Sequence, residues 1–293
     1  MKSAPNRGKA ALTPLAVRRA RMTPLPPLFP CAWAIAFGED RHGLWQAFDV
    51  AGVRQVMRWV PPGRFTMGSP LDEAERDDDE TPHAVTLRAG FWLADTTCTQ
   101  ALWAAVMGGA NPSQFKRDAQ NPVEQVSWND TVGEFLPRLN ARVPGLTAVL
   151  PTEAQWEYAC RGDAPAIAPF WFGKHIGSEQ VNFDGNYPMP GSAETEFRQQ
   201  TVPVKALPCN AWGLHQMHGN IWEWCADWYG PYPAGDVTDP AGPLAAPTES
   251  ARRVLRGGSW IDLARHCRSA QRRAYDPGIR HGHIGFRLAR GAA

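Results

Sequence analysis

The sequence predicts an α+β protein of mixed, twisted sheets with two or three helices and much irregular structure. Composition is the first reason. Thirteen tryptophans accompany 27 glycines and 27 prolines in 293 residues, which suits aromatic side chains anchoring irregular backbone rather than long regular helices. Alternation is the second: VRQVMRWV at 53–60 and RFTMGS at 64–69 read as strands joined by the Pro61-Pro62-Gly63 turn. Third, helix signals are confined to Thr99 to Met107, Ser127 to about Arg142, and Thr152 to about Arg161. Thr152 with Gln155 matches a capping box and Ser127 with Asp130 approximates one, so the first-turn N–H groups of both helices find acceptors.

Residues 1–30 combine Lys2, Arg7, Lys9, Arg18, Arg19 and Arg21 with six prolines, a composition expected to form a disordered tail. The remainder, 31–293, reads as one domain without a repeat of 20 to 50 residues. Net charge is +1 and basic residues are dispersed, which argues against nucleic acid as a partner. No run reaches the length of about 18 apolar residues that a membrane span needs, and no signal peptide is legible, so the expected location is cytoplasmic. The six cysteines form no C-x-x-C pair, and a zinc ribbon is not expected. The acidic run DEAERDDDE at 72–80 lacks the glycine and spacing of a calcium loop and reads as solvated.

In LPTEAQWEYACRG at 150–162, Glu153 and Glu157 form an i, i+4 pair whose expected roles are capping and arginine pairing. In GNIWEWCADW at 219–228, Glu223 projects opposite Trp222 and Trp224 if the segment is a strand, and a carboxylate so placed wants a cation or an arginine. Further landmarks are FTMGS at 65–69, NPVEQVSWNDT at 121–131, RGGSW at 256–260 and GFRLAR at 285–290.

Taken in order, these six motifs resemble the formylglycine-generating enzyme, or sulfatase-modifying factor, family over about residues 55–290. The resemblance implies a variant C-type-lectin fold and structural calcium. By that likeness one ion would be held by Glu223, Gln216 and the main-chain oxygens of Met217, Gly219 and Ile221. A second would be held by Asn182 and Phe183 with groups near Glu196 and Arg198; the alternative is that Asn182 only caps a turn. The family's oxidase, as the resemblance implies, binds copper through two cysteines that follow RGGS. Here Cys267 stands alone between Ser259 and Arg290, so no copper is expected and the oxidase reads as absent. The neighbouring His266, His281 and His283 are candidate metal ligands, and His281 and His283 would share a face in a strand, but spacing fixes no third or fourth ligand.

The C-terminal segment also resembles the variable regions of proteins diversified by retroelements. In such systems adenine-directed mutagenesis rewrites AAY codons while sparing the frame. The candidate variable positions Ile261, Asp262, Leu263, His266, Tyr275, Gly278, Ile279, His281, Gly282 and His283 contain only residues with codons ending in a pyrimidine, and residues 251–293 contain no asparagine. An ordinary drifting surface loop is the alternative. If buried Trp260 and Phe286 fix the frame, the varied side chains form an exposed, mixed apolar and hydrogen-bonding surface for an unknown protein or other macromolecular ligand. Three functions therefore stand: a non-catalytic ligand-binding protein, an oxidase using atypical residues, and a structural or regulatory module of a neighbouring enzyme.

Overall fold

A computed structural model describes residues 24–164, 167–248 and 250–291. The first strands are β1 (Ala36–Asp40), β2 (Gly43–Val50), β3 (Val53–Val60), β4 (Gly63–Met67), β5 (His83–Leu87) and β6 (Phe91–Ala94). Helices α1 (Gln100–Met107), α2 (Trp128–Asp130), α3 (Leu136–Arg142) and α4 (Glu153–Arg161) follow. The C-terminal part contributes β7 (Trp222–Trp228), β8 (Val237–Thr238), β9 (Arg253–Arg256), β10 (Arg272–Tyr275), β11 (Ile284–Gly285) and β12 (Ala289–Gly291).

Three sheets result. One has the order β1-β2-β3-β6-β12 with every pairing antiparallel, a second runs β10-β9-β7-β11 with its last pair parallel, and a third runs β4-β5-β8. The expected strands at 53–60 and 64–69 are β3 and β4. The main core fills the space between the first sheet and helices α1 to α3: Trp103 stacks on Phe135 at 5.0 Å, and Phe286 meets both rings edge-on. Long irregular connections close around this core, as the proline, glycine and tryptophan content implies. Among the described residues no helix is long and apolar enough to cross a membrane.

The helix starts follow their caps. Thr152 Oγ1 accepts from the Gln155 N–H at 3.2 Å and Gln155 Oε1 accepts from the Thr152 N–H at 3.0 Å. Ser127 and Asp130 complete the same reciprocal pair at 3.0 and 2.9 Å, so aspartate closes the box in spite of its shorter side chain. The expected helix from Ser127 to about Arg142 is interrupted by a π-helical stretch, Thr131–Phe135, beside which Thr131 Oγ1 donates to the Ser127 carbonyl at 2.9 Å.

Residues 1–23 of the expected tail lie outside the described residues. Residues 24–30 do not follow that expectation: Phe29 lies parallel to Trp92 with ring centroids 5.9 Å apart, and Trp59 Nε1 donates to the Pro24 carbonyl at 2.8 Å. An aromatic contact and one satisfied indole dock this stretch on the first sheet despite its prolines.

On β7, Asp227 Oδ2 accepts the Glu153 N–H at the start of α4 at 2.9 Å. Burial, reinforced by the Glu153 carboxylate, pushes Asp227 up to about 7. The folded protein therefore keeps a proton that the unfolded chain, with an aspartate pKa of about 3.9, has released. The stability that this proton contributes is complete below about pH 4 and is lost as the pH rises through about 7. His218, which burial brings down to about 4, works in the opposite direction below about pH 6.5. Asp227→Asn keeps an acceptor for the Glu153 N–H, and its urea midpoint is expected to fall less between pH 6.5 and 8.5 than that of the wild type.

Candidate functional site

The C-terminal segment has little regular secondary structure, and buried arginines fix its course. Arg268 donates to both oxygens of Glu80, at 2.7 and 2.6 Å, and to Glu73 at 2.7 Å. Arg272 forks onto Glu153 at 2.7 and 2.9 Å and lies over the Tyr232 ring. Arg287 forks onto Glu223 at 2.8 and 2.7 Å. Arg256 meets Glu157 and also donates to the carbonyls of Ser269, Ala270 and Gln271, which turns the chain towards β10. All four arginines are buried. Glu153 and Glu157 thus have the expected arginine partners. For Glu153, burial works to raise the pKa, and Arg272 and Arg256 overcome it to leave the carboxyl below its ordinary value.

The acidic run at 72–80 is solvated at Asp72, Glu75, Asp77 and Asp78, as expected, but some of its acids also turn onto the C-terminal segment. Glu80 is buried on Arg268, Asp77 accepts from Gln271 Nε2 at 2.9 Å, and Asp79 accepts from the Tyr229 hydroxyl at 2.6 Å. Glu73 and Glu80 of this loop serve as counter-charges for Arg268 in the C-terminal segment.

Over that frame the structure brings several candidate positions together. The His281 and His283 rings lie parallel with centroids 5.0 Å apart, and Tyr275 follows 6.0 Å from His281. Asp262 lies beside His266, with Oδ1 3.3 Å from Nδ1. Its other oxygen accepts from Trp222 Nε1 at 2.8 Å and from the Ser259 hydroxyl. Burial favours the neutral Asp262 carboxyl, but His266 and Ser259 beside it hold its pKa below the ordinary value. Burial lowers the His283 pKa, opposed by the Asp262 carboxylate. Ile261 is 48% exposed, Gly278 and His281 are exposed, and Leu263, His266, Tyr275, Ile279 and His283 are half-buried.

Three expectations need correction. Gly282 is buried against Gln114, so it displays nothing. The Asp262 carboxylate is an anchor as much as a surface group, because Trp222 and Ser259 hold it. Trp260 is half-buried rather than buried; its Nε1 donates to the Gly282 carbonyl at 2.9 Å, and Phe115 meets it edge-on.

Residues not anticipated also belong to this face. Arg273 donates to the Tyr275 hydroxyl at 2.9 Å, and its position two residues before Tyr275 on one strand was a usable signal. A groove of about 540 Å³ runs from Leu263 and Arg265 to Tyr187 and Met189. Nothing local in the sequence joins those segments.

The two calcium sets differ in their fit. Asn182 is completely buried, and its Oδ1 makes no hydrogen bond, so a hard donor is available there. The 195–200 segment runs alongside: Thr195 N–H donates to the Gly185 carbonyl and Asn182 Nδ2 to the Gln200 carbonyl, both at 2.9 Å. This places Glu196 and Arg198 close by, with Glu196 paired to Arg198 at 3.1 Å. In the set of Gln216, Met217, Gly219, Ile221 and Glu223, the side-chain oxygens are engaged. Glu223 is taken by Arg287 and by Trp156 Nε1 at 2.7 Å, and Gln216 Oε1 accepts from Asn220 Nδ2 at 2.5 Å. This second set does not fit a cation, because an arginine supplies the positive charge.

Cys267 is fully buried, and burial pushes its thiol well above the ordinary range. A thiol in that state is neither a good nucleophile nor a ready metal ligand.

Comparison with known proteins agrees with this architecture. Residues 49–292 match the sulfatase-modifying factor enzyme 1-like domain. The chain belongs to that family. It is 32% identical to the formylglycine-generating enzyme of Streptomyces coelicolor over 292 residues, covering 80% of this chain and 88% of that one. Among solved structures, Treponema denticola variable protein 1 superimposes with a TM-score of 0.67 at 26% identity, covering 84% of this chain and 98% of that one. PvdO from Pseudomonas aeruginosa gives 0.69 at 28% identity, over 84% and 97%. The fold is accordingly the C-type-lectin-like arrangement that this family shares with a variable protein.

Frame and face should respond differently to substitution. Arg268→Met leaves Glu73 and Glu80 as unpaired buried carboxylates and is expected to cost about 3–5 kcal/mol. Ile261→Ser, on the face, is expected to stay within about 0.5 kcal/mol of wild type. Denaturant midpoints of the two variants check the contrast.

Proposed function

We propose that this member of the family is a non-catalytic ligand-binding protein that presents its C-terminal face, from Tyr275 through His281 and His283 to Asp262 and His266, to a protein or other macromolecular ligand. One observation carries the reading: exposed and half-buried side chains lie over a segment whose Arg256, Arg268, Arg272 and Arg287 are each closed by a buried ion pair. Such a surface can change its side chains without disturbing the backbone beneath. Aromatic, imidazole and aliphatic groups together offer apolar area with adaptable hydrogen bonding, which suits protein recognition. The lone, buried Cys267 supports the absence of cysteine-based copper chemistry. Likeness to a variable protein supports a diversified face. Of the family's implied calcium ions, we place only one, at Asn182 and Phe183 beside Glu196 and Arg198, where it would brace the 182–200 loops.

A second reading, oxidation of a cysteine in a substrate by atypical residues, draws on the identity with the Streptomyces enzyme. One assay separates them. Copper-treated protein incubated with a cysteine-containing sulfatase-motif peptide and oxygen is expected to form no formylglycine by mass spectrometry; formation that depends on the protein would overturn the proposal. Diversification has its own test in the source genome, where a reverse transcriptase gene and a near-copy of the 3′ coding end, with adenines at the face codons, are expected.

A further inference from the structure

We infer that the β1 edge of the first sheet is a docking surface for an anionic lipid bilayer, formed by an apolar patch on residues 25–37 together with the basic segment that precedes it. The inference is independent of the C-terminal face.

The patch begins where the chain meets the sheet. Trp59 Nε1 holds the Pro24 carbonyl and Phe29 lies on Trp92, so the stretch between them is fixed at both ends against one pair of tryptophans, whose ring centroids are 5.3 Å apart. Docking does not bury its leucines: Leu25 and Leu28, and with them Ile35 and Phe37, are 53% to 66% exposed. Ile35 and Phe37 stand two residues apart in extended backbone and project to the same face. The Ile35 N–H donates to the Ala47 carbonyl at 2.9 Å, and Phe37 lies opposite Gln46 in the pairing of β1 with β2. Gln46 Oε1 accepts the Cys31 N–H at 3.0 Å, and the Phe29 ring meets Phe37 edge-on at 5.7 Å, so the 28–31 turn covers that same face. Leu28, Ile35 and Phe37 are thereby gathered at the sheet edge, with Leu25 beside Pro24, and among the described residues no strand pairs beyond β1. A contiguous exposed apolar patch of this kind marks a surface for a protein or a membrane.

Charge selects the membrane. Residues 1–23 carry Lys2, Arg7, Lys9, Arg18, Arg19 and Arg21, and no acid precedes Glu39. Arg18, Arg19 and Arg21 stand within six residues of Pro24, and at no more than about 3.6 Å per residue they reach no further than about 22 Å from it. The Asp40 carboxylate on β1 is no counter-charge for them, because Arg58 closes on it at 2.8 Å. Cations beside exposed leucine, isoleucine and phenylalanine match a surface that bears negative headgroups over an apolar interior, and each half of the pairing strengthens the other. A second copy of this chain would bring the same positive segment to the contact and be repelled by it.

The test sediments the full chain with vesicles of equal parts phosphatidylcholine and phosphatidylglycerol at low salt. Binding is expected there, and much weaker binding to vesicles of phosphatidylcholine alone. Replacing Arg18, Arg19 and Arg21 together by Gln should weaken it at least about tenfold. Ile35→Ser with Phe37→Ser should do the same, while Leu244→Ser, exposed outside the patch, should bind as the wild type does. Melting curves establish that each variant is folded, and the arginine variant leaves the sheet itself untouched. Failure of the wild type to sediment with the mixed vesicles would overturn the inference, as would equal binding to phosphatidylcholine alone. Unchanged or stronger binding by the arginine variant would overturn it too, since the basic segment would then be idle or cover the patch itself. A dimer in sedimentation equilibrium that Ile35→Ser with Phe37→Ser dissolves, without vesicle binding, would assign the patch to a second copy and overturn the membrane.

Discussion

The guanidinium of Arg268, closed on both oxygens of Glu80 and on Glu73, stands for the interaction on which the rest of this structure depends. Arg256, Arg272 and Arg287 repeat it with Glu157, Glu153 and Glu223. Each pair joins the C-terminal segment to a carboxylate distant in sequence, on the acidic loop, α4 or β7. Bidentate geometry matters because it fixes direction as well as distance, which regular hydrogen bonding cannot do for backbone that is largely irregular. Burying such charges is costly unless each finds its partner, so the segment has one low-energy course through the fold.

That arrangement separates two jobs. Charges beneath the segment direct where its backbone runs, while Ile261 and His281 above it are exposed. Tyr275, His281, His283 and Ile261 can share a surface because Arg272, Arg256 and Arg287 hold β10, β9 and the chain after β11. Asp262 marks the boundary between the two. Its carboxylate ties Trp222 and Ser259 into the frame, and it faces the imidazoles of the surface. A position of this kind tolerates substitution less well than Ile261, although both lie in the same irregular stretch.

Much of this was legible in the sequence because its signals are local. Thr152 with Gln155, Ser127 with Asp130, and the alternation over 53–60 each announce an element through neighbours a few residues away. The arginine partnership of Glu153 and Glu157 was foreseeable as a type, but not by partner. What escaped depends on long-range pairing: Glu73 meets Arg268 across 195 residues and Glu223 meets Arg287 across 64. An acidic run that finds buried arginines reads locally like one bathed in water, and a glutamate awaiting a cation reads like one awaiting Arg287. The docking of Phe29 on Trp92 and the burial of Gly282 against Gln114 were hidden for the same reason.

The independence of face and frame is most directly tested by hydrogen–deuterium exchange on a chain carrying Ile261→Ser, Tyr275→Ser, His281→Ser and His283→Ser together. Protection of the amides in β7, β9 and β10 should match that of the wild type. Loss of protection across β9 and β10 would mean that the face side chains hold the backbone themselves, and would contradict the account.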